Sequence, residues 1–219
     1  MFWKVGLLIL FIWVIVGTWI FEAPMGGVQN PDVYRIFYFH VPVALVTFLA
    51  YALAMFQGIM YLIKRDLKYD NRSSTAAILG TIFCILATIS GSIFAKQTWG
   101  MYWNWDPRET SIIVLLLVYL AYFSLRSAVD DAVKKANLSA VYSILGFIAA
   151  IFTIFIWPRI VPGLHPAAPG GSSSGTFIVM SGETWMVFGP SMLAFIGLYL
   201  WLYSLSMRIA KLQRGSGNV

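Results

Sequence analysis

The sequence predicts an all-α integral membrane protein, with six transmembrane helices and a short amphipathic tryptophan-rich helix on the outer face. Three observations carry that reading. The chain is 59% hydrophobic, 16% aromatic and only 11% charged, a balance found in membrane proteins and far from that of soluble domains. Six stretches contain no Asp, Glu, Lys or Arg, at about 5–21, 43–63, 75–95, 110–125, 139–157 and 184–207, and a bilayer crossing needs roughly 20 apolar residues, or about 17 with interfacial flanks. Between the third and fourth stretches runs Thr98-Trp-Gly-Met-Tyr-Trp-Asn-Trp-Asp-Pro-Arg-Glu-Thr110, which holds three of the nine tryptophans and three charged residues. A lipid-facing helix would not carry it.

The first span follows Lys4 and leads into Glu22-Ala-Pro-Met-Gly26. That segment lacks a small-x-small processing site and the apolar run is longer than a signal core, so the span reads as an uncleaved helix. A long connection, about 22–42, leads to the second span, with His40 in Phe37-Tyr-Phe-His-Val-Pro42 at its outer start. The third span carries Cys84, the sole cysteine, which can form no internal disulfide and reads as a small core residue.

In the loop at 96–109, Trp99, Tyr102 and Trp103 fall at i, i+3 and i+4, so a short helix would present them as one aromatic shelf. The fourth span starts earlier than its charge-free core, at 107–126, because Asp106 suits N-cap, Pro107 N1 and Glu109 N3. Asn caps about as well as Asp, so Asp106→Asn is expected to keep the helix start. The fifth span, 139–157, opens into a loop at 158–183 containing Pro158, Pro162, His165, Pro166, Pro169 and Ser172-Ser-Ser-Gly175. Connections beyond roughly 12–15 residues are uncommon without a function. The sixth span, 184–207, completes one domain over 1–219, and no internal repeat is visible.

Basic residues orient the chain. With the N-terminus in the cytoplasm, eleven lie inside (Lys4, Lys64, Arg65, Lys68, Arg72, Arg126, Lys134, Lys135, Arg208, Lys211 and Arg214) and four outside (Arg35, Lys96, Arg108 and Arg159). This places both termini of a multi-pass membrane protein in the cytoplasm. The net charge of +6 then sits beside anionic lipid headgroups. No basic helix with interleaved aromatics faces the cytoplasm, which argues against nucleic acid.

The only two histidines, His40 and His165, map to the outer side with the tryptophans. A lone interfacial histidine is more often structural, and interfacial tryptophans are normally belt anchors. A belt populates both faces, whereas Trp19, Trp99, Trp103, Trp105, Trp157 and Trp185 lie near the outer one against Trp3 and Trp201 near the inner. Haem suits such a surface: a planar apolar macrocycle, an iron that accepts two axial nitrogens, and propionates that seek cations. Two histidines alone would hold a bare Zn or Cu ion poorly, since such sites need about four ligands.

The run Trp99-Gly-x-x-Trp-x-Trp-Asp106, followed by x-Arg-x-Thr, resembles the tryptophan-rich WWD signature of the haem-handling proteins of cytochrome c biogenesis, the CcmC/CcsA/CcmF group. With six spans and a histidine on either side of the signature, the chain is most similar to the CcmC type, haem exporter protein C. The resemblance implies that Trp99, Gly100, Trp103, Trp105, Asp106 and Arg108 form the haem-facing signature and that His40 and His165 are axial ligands to the iron of a non-covalent b-type haem. It also implies delivery to a periplasmic haem chaperone, and partners that include ABC-type ATP-binding and membrane subunits and a small one-helix subunit. Asp106-Pro-Arg-Glu-Thr110 resembles the spelling of the larger CcsA branch, so a cytochrome c synthetase component that attaches haem directly is the alternative.

There is no Cys-x-x-Cys-His and no nucleotide-binding glycine loop. The chain reads as a haem-handling protein rather than an enzyme, with ATP chemistry left to another subunit. A small-solute transporter is the competing class, yet all six apolar stretches lack Asp, Glu, Lys and Arg; Gln57, Ser90, Ser92 and Pro190 are their notable polar or kinking positions. A docking scaffold with an aromatic outer face is a third reading.

Overall fold

Each charge-free stretch forms a helix, and most of these helices outrun their apolar cores. The computed structural model describes residues 2–21, 31–165 and 181–216. Its long helices are α1 (Phe2–Ile20), α2 (Phe37–Lys64), α3 (Leu67–Trp99), α4 (Pro107–Ala128), α5 (Ala132–Ile151) and α7 (Gly182–Ser216). Six helical segments are long and apolar enough to cross a membrane. Among the described residues there is no strand. A π-helical turn (Phe152–Ile156) continues α5 into the short α6 (Trp157–Ile160), a widening that accommodates Pro158, which has no N–H to give.

Helix ends follow local chemistry. α2 closes on Arg65 in the left-handed region at φ 54°, whose N–H returns to the Tyr61 carbonyl at 2.8 Å. Asp66 then caps α3 by accepting from the Lys68 N–H. This turn makes α2 and α3 an antiparallel hairpin. Small residues let the hairpin pack closely: a β-carbon at Gly80 would lie 2.9 Å from the Tyr51 ring, and one at Gly58 would collide with Ser143 and Ala140 of α5. Tyr51 and Tyr119 stack at 3.5 Å in the main core, alongside Leu115, Tyr122, Cys84 and alanines of α3 and α5. Cys84 is buried there, as its single occurrence implied.

Two prolines inside helices create contacts between helices. Pro42 cannot donate to the carbonyl four residues earlier, that of Tyr38, and Ser191 Oγ of α7 donates to it instead. Pro190 likewise leaves the Met186 carbonyl without its helical donor, and Trp13 Nε1 of α1 donates to it at 2.9 Å. Where water is absent, every freed carbonyl needs such a partner. α1 is thereby tied to α7, against which Leu7, Val14 and Gly17 are buried.

At the basic end Arg126 of α4 grips Asp70 of α3 through two bonds, at 2.6 and 3.0 Å, with both side chains largely buried. Neither residue falls in a charge-free stretch; the longer helices bring them into the bundle.

One expected element is missing. Residues 100–106 form no amphipathic helix but an irregular link, because Gly100 at φ 83° ends α3 in the left-handed region and Trp105 at φ 56° repeats that conformation. Of the long loop 158–183, residues 158–165 and 181–183 are described; Pro166, Pro169 and Ser172–Gly175 lie outside the described residues. In the 22–42 connection a 3₁₀ turn (Pro31–Ile36) precedes α2, and Arg35 of that turn donates to the carbonyls of Thr18 and Phe21 at the end of α1.

Candidate functional site

The link between α3 and α4 is held by its own backbone. Gly100 N–H returns to the Lys96 carbonyl at 3.1 Å, and Lys96 Nζ donates to the Gly100 carbonyl at 2.8 Å. A β-carbon at Gly100 would meet nothing within 4 Å, so the requirement for glycine is conformational: a side chain there would cost about 1–2 kcal/mol. Ser92 Oγ donates to the Tyr102 carbonyl at 2.7 Å, folding the link back over the last turns of α3. From the other side Glu109 Oε2 accepts from the N–H groups of Asn104 (2.6 Å) and Asp106 (3.3 Å).

Asp106 is the centre of the site. It caps α4 in the expected capping box, with Pro107 at N1 and Glu109 at N3. The structure adds two donors from the segment after α6. Asp106 Oδ2 accepts from the Leu164 N–H at 2.6 Å, and Oδ1 accepts from the Arg108 N–H at 2.9 Å and from His165 Nδ1 at 3.0 Å. Burial, to 3% exposure, would raise this carboxyl, but the hydrogen bond from His165, with those from the Arg108 and Leu164 N–H groups, holds it at about 2. Gly163 permits the approach: a β-carbon there would lie 2.7 Å from Asp106 Oδ2 and 3.0 Å from Pro107 Cδ.

The acceptors of the two histidines assign their tautomers. Asp106 offers only lone pairs, so His165 donates through Nδ1, and Nε2 is the ring nitrogen left without a protein partner when the imidazole is neutral. His40 Nδ1 lies 2.9 Å from Ser90 Oγ, and the single proton of that hydroxyl is directed to the carbonyls of Leu86 and Ala87, at 2.8 and 3.2 Å. His40 therefore donates through Nδ1 as well. The ring packs on Gly91, where a β-carbon would come 3.0 Å from Cε1. Arg108 is near enough for its charge to act on His40.

Not every signature residue joins this cluster. Trp99 does: its ring meets His165 edge to face at 5.0 Å and is backed by Phe94 at 5.6 Å. Gly100 shapes the turn. Trp103 and Trp105 stand perpendicular at 6.0 Å, with Trp105 77% exposed, and Tyr102 points outward beneath Lys96. The expected shelf of Trp99, Tyr102 and Trp103 does not form, since helical spacing is lost past Gly100. Arg108 sits behind the cap with its Nε buried and lacking a hydrogen-bond partner, as is Thr98 Oγ1. Ser90 and Gly163 are additions to the expected residues, as is the Asn104 N–H that Glu109 accepts beyond its cap role. Glu109 was visible as N3, whereas Ser90 and Gly163 carry no signal in the sequence.

Comparison with known proteins identifies the family. The family described as "CcmC: Heme exporter protein C" matches residues 1–217. The chain is 30% identical to the "Heme exporter protein C" of Paracoccus denitrificans over 168 residues, covering 71% of this chain and 68% of the relative. It is 29% identical to that of Escherichia coli K12 over 178 residues, 78% of this chain and 69% of the relative. With that of Rhodobacter capsulatus it shares 29% over 134 residues, spanning about half, 54%, of the relative's length. A family match over nearly every residue, on six apolar helices, means that this chain belongs to the heme exporter protein C family.

Proposed function

We propose that the protein handles haem for cytochrome c biogenesis, holding a non-covalent b-type haem between Nε2 of His40 and Nε2 of His165 at the tryptophan-rich face and passing it to a haem chaperone. The observation that carries this reading is the pair of Nδ1 hydrogen bonds, to Ser90 and to Asp106. Both Nδ1 atoms are engaged as donors, by Ser90 and Asp106, so both Nε2 lone pairs are available to an iron. Among the described residues no group of three or more His, Cys, Asp or Glu side chains could hold a bare metal ion, which favours a ligand that brings four nitrogens of its own. Trp99 supplies an apolar wall, and the unpartnered Arg108 Nε and Thr98 Oγ1 are donors suited to a propionate. Two axial histidines would keep other ligands from the iron while the haem waits.

In this reading the haem face is the outer one and both termini are cytoplasmic, as the distribution of basic residues favours. The protein acts within an ABC-type assembly, whose ATP-binding and membrane subunits and one-helix subunit supply what this chain lacks. The deciding experiment is the optical spectrum of the protein purified with its neighbours. A Soret band with low-spin, six-coordinate features is expected, and a protein that stays colourless after haem loading overturns the proposal.

The tryptophans divide by exposure into two roles. Trp105→Ala, at the most exposed ring of the link, is expected to lower haem appearing on the acceptor chaperone several-fold while haem co-purifying with this chain changes little. Trp99→Ala should lower both together. A proportional fall in both quantities for Trp105→Ala would show that its ring only binds haem.

A further inference from the structure

The end of the bundle opposite the proposed haem site carries a polar cavity. Between α1 and α7 a space of about 270 Å³ is lined by Trp3, Lys4, Trp201, Ser204, Leu205 and Arg208. Trp3 and Trp201 meet edge to face at 5.8 Å, and Lys4 Nζ lies 4.8 Å from the centre of the Trp201 ring. The Trp201 indole N–H is buried and has no acceptor. No carboxylate lines the cavity, and among the described residues neither Lys4 nor Arg208 enters an ion pair. Two cations and an unused donor thus face one recess at the membrane boundary without a counter-charge.

An anion is the missing component, and the surroundings say which kind. α1 above the recess exposes Val5, Leu8 and Ile12, each more than half accessible, an apolar track suited to an acyl chain. We propose that this recess binds the phosphate of an anionic phospholipid, with Lys4 and Arg208 pairing its charge and the tryptophan pair contacting the glycerol backbone. Basic pockets between transmembrane helices are suited to such headgroups. The bound lipid fastens α1, which packs mainly on α7, at the end away from the Trp13 bond to Met186.

The test uses the full chain in neutral detergent, stripped of lipid and titrated with dioleoyl phosphatidylglycerol, dioleoyl phosphatidylcholine or sn-glycerol 3-phosphate, with bound species counted by native mass spectrometry. Phosphatidylglycerol should bind at least about fivefold more tightly than phosphatidylcholine, and Lys4→Gln and Arg208→Gln should each weaken it about fivefold. Lys134→Gln removes a cation from the same face outside the recess and should change little. Lys4 and Arg208 are exposed, so folding is checked by an unchanged gel-filtration profile, and Trp201→Phe provides a charge-neutral variant that should also weaken binding. Equal binding of the two lipids overturns the proposal. Glycerol phosphate binding as tightly as lipid also overturns it, leaving a simple anion site, as does an equal loss in Lys134→Gln, which would mean general surface charge.

Discussion

Replacing His40 or His165 by Ala is expected to convert bound haem from six-coordinate low-spin to five-coordinate high-spin and to cut retained haem more than about tenfold. An axial ligand contributes at least as much as the outer-shell groups around ligands, whose loss typically costs 10- to 100-fold. The two positions are not equivalent. His40 is anchored on a helix by Ser90 and Gly91, whereas His165 hangs on a loop from one carboxylate. His165→Ala should therefore leave a haem still seated on His40, and His40→Ala should empty the site more completely. Ser90→Ala tests the tautomer argument separately, because without that acceptor His40 can rotate and haem retention should fall about tenfold. Spectra unchanged in both histidine variants would remove the axial assignment.

The second large effect is expected at Asp106. Its cap alone is worth about 0.5–2 kcal/mol, and Ala would also strand the Leu164 N–H and His165 Nδ1–H, at about 1–3 kcal/mol for each buried orphan. The sum, about 2.5–8 kcal/mol, should appear as a lower thermal midpoint together with loss of haem. Sequence alone suggested that Asn would be harmless, since it caps as well. With three donors converging on this side chain, Asn turns one acceptor oxygen into a donor that opposes them. Asp106→Asn should thus retain most of the stability of α4 yet misplace His165 and lose haem nearly as badly as Ala. Full haem retention in Asp106→Asn would return the residue to the role of a plain helix cap.

The features readable in advance are those written in local chemistry. Charge-free runs gave the helices, Asp-Pro-Arg-Glu gave the start of α4, and the two histidines gave the end of the molecule at which to look. The shelf failed because a spacing argument assumes continuous helix, and Gly100 and Trp105 both leave it. The bond from Asp106 to the 163–165 segment joins residues nearly 60 apart in the chain; nothing in the spelling of Gly163-Leu-His165 announces that a side chain must fit beneath it. The prolines were legible as breaks but not as donors' targets, since only the packed bundle shows that Ser191 and Trp13 lie opposite the freed carbonyls.

The Asp70–Arg126 pair constrains how the chain is made as well as how it stands. A lone acid or guanidinium is costly to bury in a lipid-facing helix, whereas the two together are neutral and doubly hydrogen-bonded. α3 and α4 are consequently expected to insert together as one hairpin, with the tryptophan link as its tip. Arg126→Leu alone should leave α4 and the 100–106 tip partly on the wrong side of the membrane in a cysteine-accessibility assay, while the double change Asp70→Leu with Arg126→Leu should restore the crossing; equal crossing by the single and double variants would separate biogenesis from the ion pair. The tryptophan link would then owe its position to two charges at the far end of the same two helices.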